Sequence, residues 1–258
     1  YNNRGNAKNR LGDYSGAIAD FNKTIELSPK DGIAYSNRGS AKNRLGDYSG
    51  AIADFNKAIE LDPNHFGAYN NRGNAKNRLG DSSGAIADFN KAIEINPKNS
   101  KIYIDRGNAK NRLGDSSGAI ADYTKAIELD SEYVNAYSNR GVAKANLEDY
   151  SGAIADFSKA IELDSNNTHA YYNRGNKKTD LKKFHEAISD YNKVIELDPN
   201  YVKAYLNRGV AKAYLKDYSG AIVDYTKAIE LNPKDGIVYS NRGMAKYELK
   251  DYSGAISD

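Results

Sequence analysis

The pentapeptide YNNRG at Tyr1 returns as YSNRG at Tyr35, YNNRG at Tyr69, YIDRG at Tyr103 and YSNRG at Tyr137, then as YYNRG at Tyr171, YLNRG at Tyr205 and YSNRG at Tyr239. Every step is 34 residues, without insertion or deletion. A period this strict implies one supersecondary unit, repeated, which cannot bury its apolar face alone and stacks on its neighbours. The expected layout is a single run of copies at 1–31, 32–65, 66–99, 100–133, 134–167, 168–201, 202–235 and 236–258, with no linker between them.

Each copy reads as a pair of helices. In residues 32–65 a first helix runs to about Leu45, where Gly46 supplies a stop. Asp47 caps a second helix, SGAIADFNKAIEL, which Pro63 ends. Pro29, Pro63, Pro97, Pro199 and Pro233 all occupy that one repeat position. Connections this short permit only antiparallel helix hairpins, so the expected fold class is all-α.

A helical wheel sorts the first helix into two arcs. One holds Ala34, Tyr35, Arg38, Gly39, Ala41, Lys42 and Leu45; the other holds Ile33, Ser36, Asn37, Ser40, Asn43 and Arg44. On the second helix Ala51, Phe55 and Ala58 align, with Ile52 and Ile59 beside them. The Arg4-to-Arg242 column falls on the inward arc, where an unpaired guanidinium is costly. The Asp20-to-Asp258 column recurs as strictly, so the two are expected to pair as a ladder. The Lys8-to-Lys246 column is expected to lay its stem over aromatic neighbours and keep its ammonium in water.

Charge and motifs narrow the function. With 37 basic and 34 acidic residues, the net charge of +3 argues against a general nucleic-acid or membrane-surface binder. No apolar run approaches the length of a membrane span. The absence of cysteine removes disulfides, thiolate metal sites and a thiol nucleophile, and leaves the compartment unreadable; soluble and cytoplasmic is the default expectation. GDSSG at Gly80 and Gly114 mimics a nucleophile elbow, but it lies between two helices and other copies put Tyr48 or Tyr150 at the same place. His65, His169 and His185 occupy three different repeat positions without metal-ligand spacing and read as surface substitutions. The expectation is no enzyme, no metal and no cofactor. Copies with Ser82 and Ser116 are expected to pack more loosely than those with Tyr48, Tyr150 or Tyr218. In the sixth copy Lys177 replaces the recurrent Ala and joins Lys178, Lys182 and Lys183 in a basic patch.

These residues resemble the tetratricopeptide repeat family. Its W-x2-L-G-x2-Y, A-x3-F and P signature falls on Tyr35, Arg38, Gly39, Lys42, Ala51, Phe55, Ala58 and Pro63, with Tyr for Trp, Arg for Leu and Lys for Tyr. The resemblance implies a right-handed superhelical solenoid whose first helices line a concave face for an extended peptide or a partner helix. That face carries a ladder of Asn3, Asn37, Asn71, Asn139, Asn173, Asn207 and Asn241, with Asp105 as its exception. An Asn amide both donates and accepts, which suits a peptide backbone; bracing of the neighbouring repeat is the other use of the same amide. The first Lys of the family's carboxylate clamp would fall at Asn2, Ser36, Asn70, Ile104, Ser138, Tyr172, Leu206 or Ser240 and its Arg in the Asn ladder, so a heat-shock-protein tail is not the expected ligand.

The face also changes along the chain. Arg10, Arg44, Arg78 and Arg112 end the arc in the first four copies, whereas Asn146, Asp180, Tyr214 and Glu248 end it in the last four. Val142, Tyr172, Leu206, Val210, Met244 and Tyr247 join it there. The expected function is a non-enzymatic protein–protein interaction scaffold holding an extended partner, acidic over Arg10 to Arg112 and apolar near Tyr172 to Tyr247. The alternative is a structural spacer that self-associates end to end, because both termini fall inside helix pairs. RNA binding is disfavoured by the lack of an aromatic column for base stacking.

Overall fold

A computed structural model describes residues 1–258. All sixteen elements are α-helices and there is no strand. Two compact units, residues 1–131 and 132–258, are described in turn. The first contains α1 (Asn2–Arg10), α2 (Tyr14–Leu27), α3 (Gly32–Arg44), α4 (Tyr48–Leu61), α5 (Phe66–Arg78), α6 (Ser82–Ile95), α7 (Ser100–Arg112) and α8 (Ser116–Leu129). The second contains α9 (Val134–Asn146), α10 (Tyr150–Leu163), α11 (Thr168–Asp180), α12 (Phe184–Leu197), α13 (Val202–Tyr214), α14 (Tyr218–Leu231), α15 (Gly236–Glu248) and α16 (Tyr252–Ser257). No helix is long and apolar enough to cross a membrane.

Local signals place the helix ends. Asp47 accepts a hydrogen bond from Gly50 N at 2.9 Å, and the same cap recurs from Asp13 to Asp251 except in the sixth copy. There Lys183 stands at the N-cap and makes no side-chain cap. First helices are capped less uniformly: Asp31 accepts from Ile33 N and Ala34 N, and Asn167 from Ala170 N. His65 is not a mere surface substitution, because its Nδ1 accepts from Ala68 N at 3.2 Å and caps α5.

The core lies between hairpins. Ala51, Phe55 and Ala58 of α4 cluster with Ala68 of α5; Ala85, Phe89 and Ala92 of α6 cluster with Ile102 and Ala109 of α7. In the second unit Ala187 and Tyr191 of α12 meet Ala211 of α13. Within the hairpin, Gly39 lets α3 approach α4, since a Cβ there would lie 2.9 Å from the Phe55 ring. Within each unit the first helices of successive hairpins touch, whereas the second helices do not. The first helices therefore form the closely spaced side of each row.

The three departures from the family signature form one cluster with the Asp column. Tyr35 lies under the Arg38 guanidinium at 5.4 Å; Arg38 grips Asp54 through Nε at 2.9 Å and Nη2 at 2.5 Å; Lys42 Nζ reaches the same carboxylate at 2.8 Å. The ladder recurs in every copy, from Arg4–Asp20 to Arg242–Asp258. The lysines thus depart from the expectation of a hydrated ammonium: a fork-shaped guanidinium leaves a lone pair on Asp Oδ2, and the lysine takes it. Arg38 Nη1 also donates to Asn22 Oδ1 of the preceding copy at 2.7 Å, and Arg72, Arg106, Arg174, Arg208 and Arg242 reach back in the same way, so these guanidiniums each tie two hairpins together.

Candidate functional site

The exposed side of the first helices differs between the units. In the first, Arg10, Arg44, Arg78 and Arg112 are all solvent-exposed at successive 34-residue steps. Arg112 reaches back one copy, where its Nη1 donates to the backbone carbonyl of Asn77 at 3.0 Å. Of the Asn ladder beside them, Asn3 is exposed, whereas Asn37 and Asn71 are half-buried and their donors are spoken for. Asn37 Nδ2 donates to Asn2 Oδ1 at 3.2 Å, and Asn71 Nδ2 to Ser40 Oγ at 3.2 Å. At the exceptional position, Asp105 accepts from Asn74 and pairs with Lys101 at 2.7 Å. Here the amides brace one first helix against the next.

In the second unit the ladder is mixed. Asn207 Nδ2 donates both to Asn176 Oδ1 at 2.8 Å and to Tyr172 OH at 3.1 Å. Asn139 also has a partner. Asn173 and Asn241 lie half-buried on the same side. Tyr172 is half-buried against Tyr191 and Tyr201, with ring centroids 6.3 and 5.1 Å away. Tyr214 stands where the first unit has Arg112, and it too reaches back one copy. Its ring stacks on Phe184 at 4.8 Å, yet it remains 66% exposed. A cavity of about 310 Å³ opens beside it, lined by Val210, Ala213, Tyr218, Tyr225, Asn241, Met244, Ala245 and Glu248. The preceding copy has a smaller and more polar cleft, about 200 Å³, bounded by Asn176, Thr179, Asp180 and Asn207.

Sequence reasoning therefore placed Arg10, Arg44, Arg78, Arg112 and Tyr214 on open surface. Of the two uses open to the Asn ladder, bracing of the neighbouring repeat is the one that Asn37, Asn71 and Asn207 show; that Phe184, Tyr218 and Tyr225 support the apolar part was not anticipated. A signal for the latter was present: Phe184 begins the second helix one copy before Tyr214, and Tyr218 and Tyr225 begin and centre the second helix that follows it. In the sixth copy the basic patch is partly neutralised, since Lys177 lies over the Tyr150 ring at 4.9 Å and pairs with Asp180 at 2.5 Å.

The serine pentapeptides have a structural use. Ser82 and Ser116 are buried, and their hydroxyls donate to Asn77 Oδ1 at 2.9 Å and Asn111 Oδ1 at 3.1 Å. Where Tyr14 and Tyr48 replace them, Asn9 Oδ1 and Asn43 Oδ1 are buried without a partner. The expectation that the serine copies are looser weighed only the lost ring; against it stands a hydrogen bond that the tyrosine copies lack.

Known repeat patterns match most of the chain. Tetratricopeptide repeat patterns match residues 1–31, 67–99, 134–167, 169–201 and 202–235, a second such pattern matches 89–121, and a TPR repeat pattern matches 39–80 and 107–148. No curated protein sequence matches the chain. Among solved structures, that of MamA is 28% identical, with a TM-score of 0.61 over 63% of this chain and 95% of that one. The structure of YrrB, described as a TPR protein with an unusual peptide-binding site, is 26% identical, with a TM-score of 0.62 over 71% of this chain and 95% of that one. The C-terminal part of a TPR repeat-containing protein from Cytophaga hutchinsonii reaches a TM-score of 0.78 over 93% of this chain and 99% of that one; at 18% identity this is a likeness of fold. With matched repeats over more than half its length and a helix pair at each of them, the chain belongs to the tetratricopeptide repeat family.

Proposed function

We propose that the protein is a non-enzymatic scaffold that holds extended protein segments on the exposed side of its first helices. The observation that carries this reading is the row of four exposed guanidiniums, Arg10, Arg44, Arg78 and Arg112, at one repeat position. Their counterparts at the inward position, such as Arg38, are consumed by the ion-pair ladder, whereas this row is offered to solvent. Carboxylates of a partner would accept charge-assisted hydrogen bonds there, and Asn Oδ1 atoms beside them remain available as acceptors for its backbone N–H groups. In the second unit the same face offers Tyr214, Met244 and Tyr247, suited to apolar side chains. The peptide-binding site reported for YrrB supports a groove role for this repeat type. A non-enzymatic reading fits the serine pentapeptides, whose hydroxyls bond asparagine rather than a histidine base.

The test replaces Arg44, Arg78 and Arg112 together with Gln and measures binding of a labelled Glu-rich peptide. The expected result is a loss of about tenfold or more, with a shallower salt dependence, since the attraction is ionic and screened. Unchanged affinity and salt slope would remove the cationic row from recognition. Light scattering over a concentration series checks the spacer alternative, which requires a mass that grows with concentration.

A further inference from the structure

The seventh copy lacks a hydrogen-bond acceptor that its equivalents possess. Where a second helix carries Tyr in place of Phe, the buried hydroxyl needs a partner. Tyr123 donates to Asn108 Oδ1 at 2.8 Å, and Tyr191 to Asn176 Oδ1 at 2.9 Å, with Thr179 Oγ1 at 3.1 Å. Tyr225 occupies the same place and is only 2% exposed, but the repeat puts Val210 and Ala213 where Asn176 and Thr179 stand. Neither side chain can pair with a hydroxyl. Burial pushes the phenol up to about 12, so it stays a neutral donor.

The same exchange releases a second group. The acceptors used by Asn207, namely Asn176 and the Tyr172 hydroxyl, correspond to Val210 and Leu206 for Asn241. Tyr225 and Asn241 both line the cavity of about 310 Å³, whose remaining walls are mainly apolar and whose only charged residue is Glu248. Neither group is sealed from solvent; both face the cavity without a protein partner, where a ligand carbonyl can serve as the acceptor. The cavity thus combines an apolar wall, two unmatched hydrogen-bonding side chains and one carboxylate at its edge.

We propose that this cavity is a socket for an extended peptide bearing Leu or Met next to Lys or Arg. The aliphatic side chain sits between Val210 and Met244, a peptide carbonyl accepts from Tyr225 OH and Asn241 Nδ2, and the cation meets Glu248. This rests on the scaffold reading above and adds the chemistry of one partner segment, opposite in charge to the one the first unit favours.

Anisotropy of the full chain with two labelled probes tests it: a Ser/Ala peptide with a central Leu-Lys pair, and the Glu-rich peptide. Val210→Asn restores the acceptor found in the fourth and sixth copies, and Tyr225→Phe restores the ring found in the first, second, third and fifth. Val210→Asn should weaken Leu-Lys binding by about tenfold or more and Tyr225→Phe by about threefold to tenfold, while the Glu-rich peptide is unaffected. Glu248→Lys should weaken it further and favour a Leu-Glu peptide. If the Leu-Lys probe binds Val210→Asn and Tyr225→Phe as tightly as wild type, or fails to bind while the Glu-rich probe binds, the socket is overturned and the scaffold reading stands. If neither probe binds, both fall. A mass that grows with concentration and that Val210→Asn abolishes would assign the cavity to a second copy of the chain and overturn the peptide proposal. Circular dichroism checks each variant; should Val210→Asn not fold, Tyr225→Phe decides.

Discussion

The loop between the two helices of each hairpin has one geometry in both units but different chemistry. In residues 1–131 the residue after the first helix's cap is Gly12, Gly46, Gly80 or Gly114, with φ between +82° and +89°. In residues 132–258 the same position is Glu148, Lys182, Lys216 or Lys250, with φ between +59° and +64°. The closing hydrogen bonds are alike: Asp47 N to the Lys42 carbonyl at 3.0 Å, and Asp149 N to the Lys144 carbonyl at 3.0 Å. Packing of the two helices therefore dictates a left-handed residue whichever side chain is present. Glycine accepts it at little steric cost, and a β-carbon does not. Tertiary structure overrides local preference in the second unit, at the expense of strain in four loops.

What the units share sets the largest expected effect. Arg72→Leu in the first unit and Arg208→Leu in the second each strand a buried carboxylate, Asp88 or Asp224, on a single lysine. Each should destabilise by about 2–3 kcal/mol in chemical denaturation, with similar values for both, because the cluster is the same. A clear difference would show that the ladder is not equivalent in the two units. Acid probes it too. Arg4, and then Lys8, hold the Asp20 carboxyl well below the usual carboxylate range. A folded value depressed below the unfolded one gives stability that is present above about pH 4 and lost as pH falls further. Melting temperature should therefore drop below that pH and stay flat through neutrality.

The loops supply the next effect, and they set the units apart. Glu148→Gly, Lys182→Gly, Lys216→Gly and Lys250→Gly should each stabilise the second unit by about 1 kcal/mol, the relief of a left-handed β-carbon less the added freedom of the unfolded chain. Gly46→Lys and Gly80→Lys should cost the first unit a similar amount. Thermal melts of the six variants check this, and loss of stability on adding glycine at Lys216 would remove the strain argument.

The sequence made the helix pairs legible because period and punctuation are properties of single positions: a 34-residue step, Pro63 and its equivalents, and Asp47 before an apolar stripe. The Arg and Asp columns were readable for the same reason, since both fall on inward arcs. What it left open depends on the distance from one copy to the next. A wheel shows that Asn37 faces the groove side, but not that Asn2 of the preceding helix is close enough to accept its amide proton. Lys42 was assigned to water because its wheel position does not reveal that the Arg38 fork leaves a place on Asp54. The cavity at Tyr225 required reading three positions together, Val210, Leu206 and Asn241, across two copies.

The smallest expected effect sharpens a contrast confined to the first unit. Its first helices carry Asn9, Asn43, Asn77 and Asn111 where the second unit has Ala145, Thr179, Ala213 and Tyr247. Asn77 and Asn111 receive a serine hydroxyl proton, whereas the Oδ1 atoms of Asn9 and Asn43 are buried beside Tyr14 and Tyr48 without one. An unmatched buried acceptor costs more than an apolar replacement, and alanine is also the better helix former. Asn43→Ala should therefore stabilise by about 0.5–1 kcal/mol. Ser82→Ala should do the reverse by a similar amount, since it strands Asn77 as Asn43 is stranded now. The pair Asn77→Ala with Ser82→Ala should recover most of that loss, because donor and acceptor leave together. Opposite signs for Asn43→Ala and Ser82→Ala in denaturant titrations are the expected pattern. Equal signs would mean that the tyrosine ring in the second copy, rather than hydrogen bonding, governs how tightly that hairpin closes.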